Sequence, residues 1–253
     1  MDKVSFNDTL SYLSSTCESV SCETSKIINS FFESFSSWWI HTTCTQIPVY
    51  TDSQIKSWHQ FLAANENQMD QSESTPRKEL HKENPHTEAY RHSNPHLTFF
   101  DVTIDREGRV TEEKVSQVYR QCNDLAVAQP LIQSAIESML RELKKPEGTY
   151  QIGVSLLQHH HFTQTQGMDW HFDLSSHTMV VLLDDESNWT GGDFLFRVVG
   201  LFSSLFPKRM TPKKGMGVLF SNEGTQHKVE PFSTTKPNTN RTIFTVHLKG
   251  GNF

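Results

Sequence analysis

The sequence predicts an α+β chain whose core is mainly β. From Thr149 onward, short apolar runs recur between Gly, Pro, Asn and Ser, the spacing expected of an all-β sandwich or barrel. Upstream of that point the apolar residues recur at the helical period instead. Composition adds a third observation. Apolar residues make up 35% of 253 residues, below the roughly 45–50% of an average domain. Part of the chain is therefore expected to be exposed or weakly ordered, while 17 Phe and 5 Trp suffice for a sizeable core.

Residues 1–46 read as an N-terminal extension rich in Ser, Thr and Cys. Within it Ile27, Ile28, Phe31, Phe32, Phe35, Trp38 and Trp39 repeat near 3.6, which predicts an amphipathic helix over about 24–40. This aromatic stripe is expected to dock on the main domain; the other reading is partner docking or membrane-surface anchoring through 27–40. Few Lys or Arg on its polar face weaken the membrane version. The main domain, 47–253, opens with a short strand, Ile47 to Tyr50. Thr51, Asp52 and Ser53 are N-cap residues for a helix running to about Ala64.

Residues 65–96 are polar and carry Pro76, Pro85 and Pro95, the composition of a long loop insertion. Its histidines, His81, His86, His92 and His96, read as a solvated surface. Leu97 to Ile104 alternates as a strand does, and Asp105 to Gly108 is a turn. Two helices are predicted next, over about 111–123 and from Pro130 as a first-turn residue to about Lys144. The second has the stripe Leu131, Ile132, Ala135, Ile136, Met139, Leu140 and Leu143. Predicted strands follow at Tyr150–Leu157, Met179–Leu183, Phe194–Val198, Gly217–Phe220 and Thr242–Leu248, with no internal repeat.

The formal charge of -6 argues against a basic nucleic-acid binder. No run of eighteen apolar residues is present, so no spanning helix is expected. Met1-Asp2-Lys3 lacks the basic and apolar regions of a secretory signal, which leads to an expectation of cytoplasmic residence. Four cysteines (Cys17, Cys22, Cys44 and Cys122) are too few for a disulfide scaffold. Reduced thiols are expected, with Cys17 and Cys22 the pair that could bridge.

Chemistry concentrates in Trp170-His171-Phe172-Asp173. On a strand, residues two apart share a face, so His171 and Asp173 would present an imidazole and a carboxylate to one point. His227 follows the predicted strand Gly217–Phe220 and can sit at the start of the next. Two His and one carboxylate on one side of a metal leave positions open, the arrangement of non-haem Fe(II) oxygenases. His-x-Asp alone is a weak pattern, and its surroundings strengthen it. Arg241 begins the run Arg241-Thr242-Ile243-Phe244-Thr245-Val246, where a buried guanidinium can grip a carboxylate through two parallel hydrogen bonds. Gly191-Gly192 precedes Asp193-Phe194 and allows a tight turn or a close backbone approach.

These residues resemble the 2-oxoglutarate- and Fe(II)-dependent dioxygenases, in particular the prolyl 4-hydroxylase-like branch. The resemblance covers about 150–250 and rests on His171-Phe172-Asp173, Gly191-Gly192-Asp193, Pro212 with Gly215, Leu219-Phe220, His227 with Val229 and Pro231, and Arg241. It implies a double-stranded β-helix, or jelly roll, supported by the helices at 111–144. It also implies that His171, Asp173 and His227 ligate Fe(II) as the catalytic centre. Arg241 would pair with the distal carboxylate of 2-oxoglutarate. The implied reaction couples O2 and the decarboxylation of 2-oxoglutarate, giving succinate and CO2, to hydroxylation of a substrate; ascorbate is a further cofactor candidate. The expected substrate is a protein or peptide side chain, proline among the candidates. The alternatives are a small-molecule or amino-acid hydroxylase, or a non-catalytic binding protein on the same fold.

Three positions depart from the family pattern. Phe162 stands where a tyrosine often faces the cosubstrate, and His247 stands near the end of the last strand where Trp is common. The loop Thr234 to Asn240 is long, which makes Lys236 a rival to Arg241 for the carboxylate. Other candidates read more simply as structure. His159-His160-His161 can bring at most two rings to one point of a strand and is assigned to strand-edge or surface packing before substrate contact. His177 is expected in a solvent or hydrogen-bonding role, Trp170 in wall packing before substrate clamping. Asp184-Asp185-Glu186 is expected to be an acidic loop, with attraction of a basic peptide the lesser reading.

Overall fold

Thr51 starts the helical layer through a capping box. Its side chain accepts from the backbone N–H of Gln54, and the Gln54 side chain accepts from the backbone N–H of Thr51. The computed structural model describes residues 44–66, 90–92, 99–111, 122–159, 164–165, 167–198 and 207–250. The predicted helix over 24–40 with its aromatic stripe, Cys17, Cys22, Phe162, His160, His161 and most of the 65–96 segment lie outside these residues.

In chain order the elements are β1 (Cys44–Pro48), α1 (Asp52–Ala64), β2 (Tyr90–His92), β3 (Phe99–Ile104), α2 (Leu125–Glu142), β4 (Gly148–His159), β5 (Gln164–Thr165) and β6 (Met168–His171). They continue with β7 (His177–Leu182), β8 (Thr190–Gly191), β9 (Phe194–Val198), β10 (Lys208–Met210), β11 (Met216–Ser221), β12 (Thr225–Val229), β13 (Phe232–Ser233) and β14 (Arg241–Leu248). The described residues are thus mainly β with two α-helices, and every strand pair in the ladders is antiparallel. A seven-stranded sheet runs β1-β11-β7-β14-β4-β2, with β3 also pairing β4. A four-stranded sheet runs β10-β9-β12-β6, and a small one runs β5-β13-β8.

Strand alternation sorts the large sheet into two faces. Met179, Val181, Phe244, Val246 and Leu219 pack with Trp58 and Phe61 of α1 and with Ile132, Ile136 and Met139 of α2. Trp58 is fully buried, with the Phe244 ring 4.9 Å away. On the other face, Val180, Val218 and Phe220 meet Phe194, Phe196 and Val198 of the four-stranded sheet. The two sheets therefore pack an apolar layer between them, and His227 of β12 lies against it. No described helix is long and apolar enough to cross a membrane.

Three predicted boundaries change. The opening strand begins at Cys44 rather than Ile47, because residues 44–48 all pair with β11. The 65–96 segment is not all loop: Tyr90–His92 adds a strand to the edge of β4. Pro130 lies inside α2 rather than in its first turn. An interior Pro removes one N–H donor and crowds the carbonyl four residues back. The segment before it is helical all the same, with Ala128 fully buried in the core.

Candidate metal centre

β6 and β12 are hydrogen-bonded neighbours, and their ladder places His171 directly opposite His227. Alternation turns both rings inward, with centroids 4.1 Å apart. Asp173 lies two residues past the end of β6, so strand alternation alone does not aim it. Its carboxylate nevertheless reaches both rings: Oδ1 is 3.7 Å from His171 Nε2, and Oδ2 is 3.9 Å from His227 Nε2. One ligand atom from each of the three side chains lies within 4.8 Å of the others, the compact His-Asp-His set that a divalent cation requires.

The donor chemistry fits a metal. His171 Nδ1 donates to the Asp169 carbonyl at 2.7 Å, which turns Nε2 toward Asp173, 3.7 Å away. His227 is buried against Phe220 and Phe196, with ring centroids 4.5 and 6.2 Å away. Burial pushes its pKa down to about 4, against the opposing pull of Asp173. The ring is therefore held neutral, the state that binds metal. The centre is walled on the His227 side and open on the other, where the His171 side chain is 30% exposed. An open cleft of about 420 Å³ begins at Asp173, lined by Phe172, Leu174, Ser175, Ser176, Asn222 and Glu223 among others.

Arg241 is the first residue of β14 and is buried. Its Cζ lies 4.6 Å from the Phe232 ring and 5.9 Å from that of Trp189. Nε and Nη2 are enclosed and have no hydrogen-bond partner among the described residues. Burial lowers the guanidinium pKa to about 10, partly offset by Asp184. Two enclosed, unpartnered N–H groups on one cation fit an incoming carboxylate. Arg241, Ile243, Thr245 and His247 alternate along one face of β14. Ile243 packs against both the inter-sheet cluster and the cluster of Leu182, Trp189 and Phe232 beside Arg241. At the other end of that row, His247 Nδ1 is 4.0 Å from Asp173 Oδ2. One strand face thus links the guanidinium to the ligand cluster.

Lys236 is engaged elsewhere. Its ammonium donates to the Ser187 carbonyl and to Asn188 Oδ1 at 3.1 and 2.9 Å. His159 pairs with Arg241 across the ladder and sets its ring edge-on to Phe232 at 5.1 Å, so it packs beside the guanidinium. His177 Nδ1 is 3.2 Å from Ser176 Oγ, a hydrogen-bonding role. Trp170 points to the outer face of its sheet, under Arg197 at 4.3 Å and Lys228 at 5.4 Å, away from the metal centre. The acidic loop is consumed internally: Asp184 accepts from the Thr242 backbone, Asp185 from Ser187 and Glu186 from Lys214.

Sequence reasoning missed the group that holds Asp173. Thr178 Oγ1 donates to Asp173 Oδ2 at 2.6 Å, and Asn222 Nδ2 donates to Thr178 Oγ1 at 3.0 Å. Asn222 Oδ1 accepts from the Asp173 backbone N–H at 3.4 Å. Ser175 and His247 complete the cluster, 3.0 and 3.3 Å from Thr178 Oγ1. The departure at His247 was the one available signal, a polar ring where an apolar one was expected.

No family profile matches the chain, and no curated protein matches it. Solved structures do. The crystal structure of IDO from Bacillus thuringiensis matches at a TM-score of 0.53 and 14% identity, over 87% of this chain and 96% of that one. A bsmA homolog from Methylobium petroleophilum PM1 matches at a TM-score of 0.53 and 8% identity, over 87% and 94%. A Pseudomonas putida prolyl-4-hydroxylase matches more loosely, at a TM-score of 0.42 and 10% identity, over 87% and 100%. The first two show that this chain shares its fold with them along nearly their whole length.

Proposed function

We propose that this chain is an Fe(II)- and 2-oxoglutarate-dependent dioxygenase on a double-stranded β-helix, of the prolyl 4-hydroxylase-like branch. The observation that carries this is the pairing of two features on one inner surface: a His-Asp-His cluster and a buried Arg241 with two unpartnered N–H groups. Iron with 2-oxoglutarate and O2 would supply the oxidising chemistry, with succinate and CO2 as by-products. This chain's residues supply the rest. His171, Asp173 and His227 would hold the metal through one atom each. Arg241 would bind and orient the distal carboxylate between Phe232 and Trp189. Phe196 and Phe220 keep water from the His227 side.

The substrate reading is a protein or peptide side chain, with proline a candidate. The surface beside Asp173 supports it, because it is open to solvent and exposes Phe172 and Leu174 next to that carboxylate. Such a shape suits a protruding side chain on a larger partner better than full enclosure of a small molecule.

The test is succinate formation from 2-oxoglutarate with and without Fe(II), in the presence and absence of a peptide library, with Asp173→Ala as control. Succinate that requires Fe(II), rises with particular peptides and disappears in Asp173→Ala is the expected result. Undiminished succinate in Asp173→Ala, or no binding of 2-oxoglutarate to the Fe(II)-loaded protein, overturns the proposal.

A further inference from the structure

We propose that Thr178, itself fixed by Asn222, is the positioning residue that makes Asp173 a one-oxygen metal ligand. The inference rests on the metal-centre reading above and concerns how this chain prepares its carboxylate.

Proton accounting gives the direction of each bond. A carboxylate only accepts, so the contact between Thr178 Oγ1 and Asp173 Oδ2 uses the single hydroxyl proton of Thr178. A hydroxyl oxygen has two lone pairs. Asn222 Nδ2, which can only donate, takes one of them. The other is left for Ser175 or His247. Every capacity of Thr178 Oγ1 is then spoken for, and its proton cannot turn elsewhere without breaking a buried bond.

The scaffold enforces the same answer. Thr178 is 1% exposed and belongs to β7, in the middle of the large sheet. Its β-branched side chain has little χ1 freedom there. Asn222 follows β11, the neighbour of β7, and its backbone N–H donates to the Ser176 carbonyl at 2.8 Å. One Asn side chain therefore grips Asp173 twice, at the backbone through Oδ1 and at the carboxylate through Nδ2 and Thr178. This answers a question the strand pattern leaves open, namely what aims a ligand lying beyond the end of β6.

The chemical consequence concerns coordination. Oδ2 lies 3.9 Å from His227 Nε2 but is engaged by a short hydrogen bond from Thr178, while Oδ1 has no hydrogen-bond partner among the described residues and lies 3.7 Å from His171 Nε2. Asp173 is thus set to offer Oδ1 and withhold Oδ2. Without the Thr178 hydroxyl, the carboxylate would be free to rotate and could offer both oxygens to a bound metal.

The experiment is anaerobic titration of the metal-free protein with Co(II), followed by calorimetry and by visible absorption, which reports coordination number. Thr178→Ser keeps the hydroxyl and Thr178→Ala removes it, with the same methyl lost in both. His171→Ala serves as the ligand-loss control. Wild type and Thr178→Ser are expected to bind one Co(II) with similar affinity and similar spectra. Thr178→Ala is expected to bind about 10–100-fold more weakly, the usual effect of removing a hydrogen bond to a ligand, with an altered spectrum. Equal affinity and an unchanged spectrum in Thr178→Ala overturn the proposal. Absence of Co(II) binding in wild type, or wild-type affinity in His171→Ala, overturns instead the metal-centre reading beneath it. Circular dichroism of each metal-free variant checks folding. Should Thr178→Ala not fold, Asn222→Ala replaces it; an affinity between those of wild type and His171→Ala is expected, and wild-type affinity overturns the proposal.

Discussion

At Arg241 the proposed function and stability pull apart at a single residue. A buried guanidinium with two unpartnered N–H groups is unfavourable in the ligand-free protein. The faces of Phe232 and Trp189 offset only part of that cost. Arg241→Met keeps the length and removes the charge, so the ligand-free protein is expected to gain about 1 kcal/mol, measured by urea unfolding. The same variant is expected to bind 2-oxoglutarate more weakly by about 2–5 kcal/mol, measured by calorimetry on the Fe(II)-loaded protein. Loss of stability together with unchanged binding would mean that Arg241 serves the fold alone. Arg241 was legible in the sequence because a lone cation in an apolar strand run is conspicuous. Thr178 and Asn222 were not. Both are short polar residues common in ordinary strands and turns, and Asn222 meets Asp173 across a separation of 49 residues. Nothing local marks a residue whose work is done on a distant partner.

At the scale of elements, the cap and the paired glycines behaved as read, whereas Pro130 sits inside α2 instead of opening it. Thr51 caps α1, and the paired glycines at 191–192 both take positive φ, near +80°. Elements set by tertiary pairing were the ones that shifted: β1 gained three residues from its ladder with β11, and β2 exists only because β4 has a free edge. Gly191 shows how an element reaches the site. A Cβ there would fall on the Pro231 carbonyl oxygen, and β8 pairs Gly191 with Phe232 of β13. Phe232 in turn covers Arg241. Gly191→Ala must therefore strain φ and push β13 away. It is expected to cost about 2 kcal/mol or more in thermal or urea unfolding. Because the displaced Phe232 uncovers the guanidinium, 2-oxoglutarate affinity should fall as well. Wild-type affinity with lowered stability would show that β13 does not shape the cosubstrate pocket.

For the whole molecule, the proposed metal centre would couple folding to protons and to metal. The buried imidazoles of His227 and His247, and the half-buried one of His177, all have pKa values lowered chiefly by burial, that of His227 to about 4. In the unfolded chain each returns to about 6.5. Below that pH the unfolded state takes up protons that the folded state refuses, so stability is full above about pH 7 and falls as the pH drops toward 4. Buried Asp184 runs the other way, since desolvation raises its pKa and its proton uptake favours the folded state at the acid end. Between pH 7.5 and 5.5, where the unfolded histidines titrate, their contribution to the stability of the metal-free protein should fall by about 1–2 kcal/mol, read from urea midpoints at each pH. A divalent metal binds only the neutral rings, so it adds stability near pH 7.5, about 2.7 kcal/mol at a hundredfold excess over its dissociation constant. That increment should shrink as protons compete for the same nitrogens. In His171→Ala the metal increment should vanish at every pH. The acid sensitivity should persist, because His227, His247 and His177 remain buried. If instead His171→Ala abolished the acid sensitivity while metal still stabilised the protein, then protons and metal would be acting at separate places, and the cluster would not be the metal centre.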